Sequence, residues 1–420
     1  MTERSWREDN AIRLLENGEE FFPAVFDDIR AAQQEVIIET FIWWEDAIGR
    51  ALRQVLEEAA ARGVKVDITV DGHGSALLNK GFIQPLTDAG GRVHVFGPMA
   101  PKFGKHPNLL HRLHRKIVVI DGAIAYIGGI NFSDAHMRYY GPESKQDYAA
   151  RVQGPVVEDI RRFCYQAIGE SARPRRRRLT DMFRRVPSEW LNPRAAAQVL
   201  FITRDNTRHR HDIETMYLMA LRAAERDVVI MNSYFYPSYR FLRAMRQAVQ
   251  RGVRLRLILQ GNPDKQYVKF ASRTLYDYLI GIGVEVWEYQ ERPSHAKVAV
   301  VDDHWATVGS SNLDPFSLAL NLEANIVVRD HAFNRTLRAS LDHVQTQHSR
   351  RVTRADVMHR HPLWHLWRTI SFHLLRYLPK LIRLIPVKSM RVATIARAQE
   401  DLGPGDRKIG HAEQKLNRLP

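Results

Sequence analysis

Cysteine is almost missing from this chain. Cys164 is the only one in 420 residues, so no disulfide can form within the chain and a thiolate zinc site is excluded. Cys164 sits in DIRRFCYQAI, which reads as a helix with the thiol as a small buried apolar group. Long apolar runs are also missing. No run of 18 or more residues is apolar and uncharged, which predicts no transmembrane helix. The opening MTERSWREDN lacks the apolar centre of a secretory signal, so the expected location is the cytoplasmic side. Acidic residues are in deficit, with 47 Asp and Glu against 62 Lys and Arg, a net charge of +15. That balance points to a polyanionic partner, either nucleic acid or an anionic membrane surface. No HExxH or CxxC is present, nor any glycine-rich GKS or GKT loop, which argues against a zinc hydrolase and an ATPase.

What the chain does have is a duplication. HRKIVVIDGAIAYIGGIN, from His114 to Asn131, carries His114, Lys116, Asp121, Gly128, Gly129 and Asn131. HAKVAVVDDHWATVGSSN carries His295, Lys297, Asp302, Gly309, Ser310 and Asn312 at the same internal spacing, every position 181 residues further on. A lone histidine is usually structural and a lone lysine usually solvated. Six positions repeated at one offset remove that explanation. RGVKVDITVDG and RGVRLRLILQG also align, so the duplication extends beyond the motif.

The periodicity places a helix within residues 10–33, a strand over Glu35–Phe41, a helix over Ile48–Ala61 and a strand over Val64–Val70. A helix around Phe82–Ala89 and a strand Arg92–Phe96 follow, then two strands around the Asp121-Gly122 turn. The second half repeats the order: helix Asp212–Ala224, strand Asp227–Met231, helix Tyr239–Gln250, strand Val253–Leu259, helix Arg273–Ile280 and strand Val284–Glu288. The alternation predicts two similar α/β domains packed as a pseudo-two-fold pair around one shared site. The expected boundaries are residues 1–168, a basic linker 169–195, a second domain 196–348 and a basic tail 349–420.

The linker holds Arg173, Arg175 to Arg178, Arg184 and Arg185, and reads either as a solvated connector or as an anionic-surface contact anchored by Phe183 and Trp190. In the tail, Leu363, Trp367, Ile370, Leu374, Leu378, Leu381 and Ile385 follow helical spacing with Arg368, Arg376, Lys380 and Arg383 between them. A basic, tryptophan-bearing amphipathic helix suits a membrane interface, and the competing reading is a helix docked on the core. Beyond Lys388 the composition turns polar and predicts disorder.

In each motif the histidine and lysine are two apart on a strand, so both side chains share a face. Small residues and the asparagine at the end of the next strand would let N–H groups and Ser310 approach an anion. Paired histidines, lysines and asparagines are rich in donors and poor in carboxylate metal ligands, which suits a phosphate. Lys116, Lys297, Asn131 and Asn312 can stabilise non-bridging oxygens without a metal or other cofactor. One neutral histidine can attack phosphorus while the other moves the proton of the alcohol.

These motifs resemble the phospholipase D superfamily, whose signature is HxKxxxxD followed by GG or GS and Asn, present twice. SWREDNAIRLLENG, FIWWEDAIG, YGPESKQDYA and HWATVGSSNLDPFSLALNLEAN are similar to bacterial cardiolipin synthases, the B-type in particular. The resemblance covers about the first 350 residues. It implies phosphatidyl transfer through a phosphatidyl-histidine, with phosphatidylglycerol as acceptor and donor, or phosphatidylethanolamine as donor. His114 would be the nucleophile and His295 the general acid and base. Glu323, 11 residues past Asn312, and Asp147 in KQDYA would orient the histidines. Asp121 and Asp302 belong to the catalytic signature but also suit a turn-fixing role. The implied location is peripheral, on the cytoplasmic face of the inner membrane, without a nucleic-acid partner. The alternatives are a phosphodiesterase or nuclease on the same scaffold, or a non-catalytic binder of anionic lipid or nucleic acid. The tail and Trp43-Trp44 favour lipid.

Overall fold

The computed structural model describes residues 5–97, 111–170, 197–261, 275–357 and 392–394. Of the basic linker only Gly169 and Glu170 are described, and the amphipathic stretch from Leu363 lies outside the described residues. Within them, the backbone forms one 16-stranded sheet made of two matching halves.

In the first half, β1 (Arg7–Glu16) precedes α1 (Asn17–Arg30), and three parallel strands follow: β2 (Glu35–Thr40), β3 (Lys65–Asp71) and β4 (Arg92–Phe96). α2 (Ala47–Ala61) and α3 (Lys80–Asp88) are the crossovers. Asp46 caps α2 by accepting from Gly49 N, and Asn79 caps α3 by accepting from Phe82 N. The chain then adds the antiparallel β5 (Ile117–Ile120), β6 (Ile124–Gly128) and β7 (Tyr148–Gln153), and ends on α4 (Val156–Ala167).

The second half repeats this with β8 (Ala197–Arg204), α5 (Asp212–Ala223), β9 (Asp227–Asn232), α6 (Tyr239–Gln250), β10 (Arg254–Gln260), β11 (Glu285–Tyr289), β12 (Lys297–Val301), β13 (Trp305–Gly309), β14 (Glu323–Arg329) and α7 (His331–His348). The strand orders match: β1-β7-β6-β5-β2-β3-β4 in one half and β8-β14-β13-β12-β9-β10-β11 in the other. Edge strands complete both, β15 (Ser349–Val352) on β11 and β16 (Val392–Thr394) on β4.

The predicted parallel and hairpin strands form as the periodicity indicates, and the differences have physical causes. The helix placed within residues 10–33 is α1, and the strand ahead of it, β1, is one that the periodicity does not mark, because β1 is hydrogen-bonded by β7 on one side and β8 on the other. Those partners are remote in sequence and override local propensity. The sheet continues past residue 348 into Ser349–Val352, and Val392–Thr394 of the polar end is a paired strand rather than disordered chain. Trp43, read from sequence as favouring lipid, is fully buried and donates its indole N–H to Gly49 O at 3.0 Å. Trp44 is half-buried.

Alternate residues of each central strand face two different cores. Ile117 and Val119 of β5 meet Val298 and Val300 of β12 in a cluster that the two halves share, filled by Ile160 and Cys164 of α4 and Leu337 and Leu341 of α7. Val118 and Ile120 face outward onto α1 and α2, and Ala299 and Val301 onto α5 and α6. Both faces are covered, which explains the uninterrupted apolar runs IVVI and VAVV.

The motif aspartates sit at the end of the hairpins remote from the histidines. Asp121 and Asp302 have φ of 51° and 48°, and each carboxylate accepts three successive backbone N–H groups: Gln33, Gln34 and Glu35, or Glu225, Arg226 and Asp227. They therefore fix the start of β2 and β9, which is the turn-fixing role of Asp121 and Asp302. Asp302→Ala is expected to cost about 1–3 kcal/mol of stability, since three partly buried N–H donors lose a charged acceptor. Urea unfolding checks this; an unchanged midpoint with abolished turnover would contradict it.

Candidate active site

Each motif histidine lies just ahead of its strand and is held by the other half of the chain. His114 N donates to Leu322 O at 2.9 Å, and Leu322 N donates to Arg112 O at 2.8 Å. His295 N donates to Gln146 O at 2.8 Å, and Gln146 N donates to Pro293 O at 2.9 Å. These ties place the next residue in each case, Glu323 or Asp147, against the imidazole. His114 Nδ1 is 2.9 Å from Glu323 Oε2, and His295 Nδ1 is 2.6 Å from Asp147 Oδ2. Both carboxylates are fully buried. With Nδ1–H donated to a carboxylate, each ring keeps its Nε2 lone pair for chemistry. The ring centroids are 6.3 Å apart.

The lysines are buried beside them. Lys116 Nζ donates to His114 O at 2.7 Å, and Lys297 Nζ donates to His295 O and to Ser233 Oγ. Burial pushes Lys116 down to about 7 and Lys297 down to about 8. Phe41, whose ring centroid is 5.2 Å from that of His114, also lies under Lys116.

The two halves are not electrostatically equal. Burial works to raise Glu323, but His114, Lys116 and the Ser310 hydroxyl outweigh it and hold the carboxyl below its ordinary value. Burial raises Asp147 to about 7, against the pull of Lys297 and the Tyr148 N–H. Burial lowers His114, with Glu323 opposing; it lowers His295 much further, with Lys297 and Lys145 adding to the effect.

Of the small residues expected to admit an anion, Ser310 and Gly129 adjoin the carboxylates and Gly309 adjoins an amide. Ser310 Oγ donates to Glu323 Oε2 at 2.5 Å. At the matching position, a Cβ on Gly129 would lie 2.3 Å from Asp147 Oδ1, so only glycine leaves Asp147 its place. A Cβ on Gly309 would strike the Asn325 side chain at 2.2 Å. Asn131 and Asn312 are both buried. Asn131 Oδ1 accepts from Ile42 N at 3.1 Å, and Asn312 Oδ1 makes no hydrogen bond.

Sequence reasoning missed His136, Lys145 and Phe41. His136 is fully buried, with its ring centroid 5.8 Å from that of His295. The duplication could not reveal it, because Ser317 stands 181 residues on. His136, Asp147 and His295 bring ligand atoms within 4.8 Å of one another. Lys116, Lys297 and Lys145 act on both histidines with positive charge, and Arg292 acts on His136, which opposes a divalent cation and suits an anion. Among the described residues, no helix is long and apolar enough to cross a membrane.

Residues 25–158 and 217–345 match the family described as "Cardiolipin synthase, PLD-like domain". Cardiolipin synthase B of Escherichia coli K12 is 49% identical over 395 residues, covering 93% of this chain and 94% of that protein. Cardiolipin synthase B of Salmonella typhi is 47% identical over 407 residues, covering 96% and 97%. The crystal structure of phosphatidylserine synthase from Haemophilus influenzae superposes with a TM-score of 0.64 at 15% identity, over 91% of this chain and 98% of that one, a likeness of fold.

Gly129→Ser tests the packing argument. The added side chain must displace Asp147 from His295, so phosphodiester turnover should fall about 10²-fold or more while the far-UV circular dichroism is kept. Unimpaired turnover would show that Asp147 does not orient His295.

Proposed function

Because this chain belongs to the cardiolipin synthase family with phospholipase D-like domains, we propose that it forms cardiolipin by transferring a phosphatidyl group between phospholipids at a membrane surface. The observation that carries the reading is the facing pair of imidazoles, each held by a carboxylate from the opposite half, with a buried lysine beside each.

In the first step His114 Nε2 attacks the phosphorus of the donor lipid. The N–P bond forms as the P–O bond to the headgroup alcohol breaks, and His295 Nε2–H gives its proton to the departing oxygen. In the second step a hydroxyl of the acceptor, phosphatidylglycerol, gives its proton to His295 and bonds to phosphorus as the N–P bond breaks. With phosphatidylglycerol as donor the released alcohol is glycerol; with phosphatidylethanolamine as donor it is ethanolamine. Lys116 and Lys297 stabilise charge on the non-bridging oxygens, a contribution of about 10²- to 10³-fold per donor in comparable sites. Arrival of the phosphodiester anion favours the protonated forms of His295 and both lysines, which burial disfavours in the empty site. The enzyme is read as peripheral, on the cytoplasmic face.

A second reading exchanges the histidines. It is favoured by the imbalance between the carboxylates: Glu323 is held charged beside His114, which suits an imidazolium, while His295 is the one kept neutral. Trapping separates the two. With radiolabelled phosphatidylglycerol in liposomes, His295→Ala should accumulate phosphatidyl-enzyme and His114→Ala should form none, with both reducing cardiolipin output at least about 10²-fold. The opposite trapping pattern reverses the roles. Cleavage of DNA by the intact protein without cardiolipin formation would sink the lipid reading.

The lysines set a pH dependence. Each is charged below its own value and loses that charge as pH rises, Lys116 near 7 and Lys297 near 8. The kcat/KM profile, which reports the free enzyme, should therefore decline through that window. A plateau extending to pH 10 would contradict the assignment of charge to these lysines.

A further inference from the structure

The reacting phosphate is not the only anion this chemistry must hold. An acceptor that is itself a phospholipid brings a second phosphodiester, separated from its attacking hydroxyl by the glycerol carbons. That hydroxyl must approach the histidine that takes its proton. On the assignment above this is His295, so the second phosphate lies on the His295 flank.

That flank carries donors without acceptors. Lys145 is half-exposed, and its Nζ makes no hydrogen bond or ion pair with any described residue. It precedes Gln146, which is bridged to Ser294 beside His295, and its own backbone N–H donates to Ala135 O, next to His136. Arg292 is more than nine-tenths buried and gives one nitrogen to Gln146 Oε1 at 2.7 Å, whereas Nε and Nη1 make no hydrogen bond. The Tyr289 hydroxyl, a neighbour of Arg292, is committed to Glu291 at 3.1 Å. His136 accepts from Asn131 N at Nε2, 3.2 Å away, which places its proton on Nδ1, and that atom is buried without a partner.

The nearby carboxylates are already engaged. Asp147 holds His295 and the Tyr148 N–H, and Glu291 pairs with His348 at 3.3 Å and with Arg138 at 3.8 Å. Positive and donor groups left unmatched at a protein's interior edge are costly unless an anion completes them. The matching ties around His114 put Asn321 where Lys145 stands and His111 where Arg292 stands, and Arg204 there is bonded to Asn321 O. The cations on that flank are Arg112 and Arg204, which stand at other positions than Lys145 and Arg292.

We propose that Lys145, with Arg292 and His136 behind it, forms a second phosphate subsite that binds the phosphodiester of the acceptor lipid and selects a phospholipid over an uncharged alcohol. The inference rests on the transferase reading. Its ligand chemistry is a phosphodiester anion, and its source is the acceptor lipid rather than free phosphate.

The test uses the full chain and vesicles of phosphatidylglycerol mixed with 1-monoacylglycerol, which offers the same hydroxyls without a phosphate. One intermediate then partitions between two acceptors, and the product ratio reads the subsite alone. Lys145→Gln should shift that ratio away from cardiolipin by about tenfold, the worth of one charge-assisted hydrogen bond, and Lys145→Arg should keep it near the unmodified protein's. An unchanged ratio in Lys145→Gln overturns the subsite. So does inhibition by inorganic phosphate that Lys145→Gln relieves without altering the ratio, which would assign the site to a free anion. If the unmodified protein makes neither product, it is the transferase reading that fails.

Discussion

The exchange of carboxylates between the halves is the constraint on which the rest of this molecule depends. Glu323 reaches His114 and Asp147 reaches His295, and each pair is backed by reciprocal backbone hydrogen bonds between the same segments. Neither half contains both members of a working pair. The shared apolar cluster, to which β5 and β12 both contribute, is therefore a requirement of the site as well as a source of stability.

Within that crossed frame the duplication has diverged where function is asymmetric. Gly129 and Ser310 occupy matching positions, yet one clears space for a carboxylate and the other hydrogen-bonds one. The result is two histidines with similar geometry and unequal basicity. A two-step displacement calls for that inequality, since one imidazole must stay free of a proton when the other carries it. The additional donors around His136 and Lys145 extend the asymmetry to the flank.

Much of this was legible in the sequence, for reasons that can be named. The histidine–lysine pairs, the parallel strands and the pseudo-two-fold repeat follow from a spacing that occurs twice. Glu323 and Asp147 were reached through family resemblance; their crossing to the opposite histidine needed coordinates, because it depends on how the halves face each other. Asp121 and Asp302 carry the signature's third letter, yet their backbone-capping geometry appears only when β2 and β9 start beside them. β1 carries no signal of its own in the sequence, because its strand character comes from remote neighbours. His136 has no counterpart in the second half, so repetition gave no signal.

β1 also has a consequence for how the protein is made. It is the first of the described elements in chain order, and β7 can cover one of its edges once residue 153 is available. Its other edge pairs with β8, beginning at Ala197, on the far side of the linker. A nascent first half therefore presents an open strand edge beside its unfinished apolar face until the second half starts to emerge. Exposed edges of that kind invite pairing with a neighbouring chain. The length of the connection between the halves thus sets how long each new molecule remains vulnerable to misassembly.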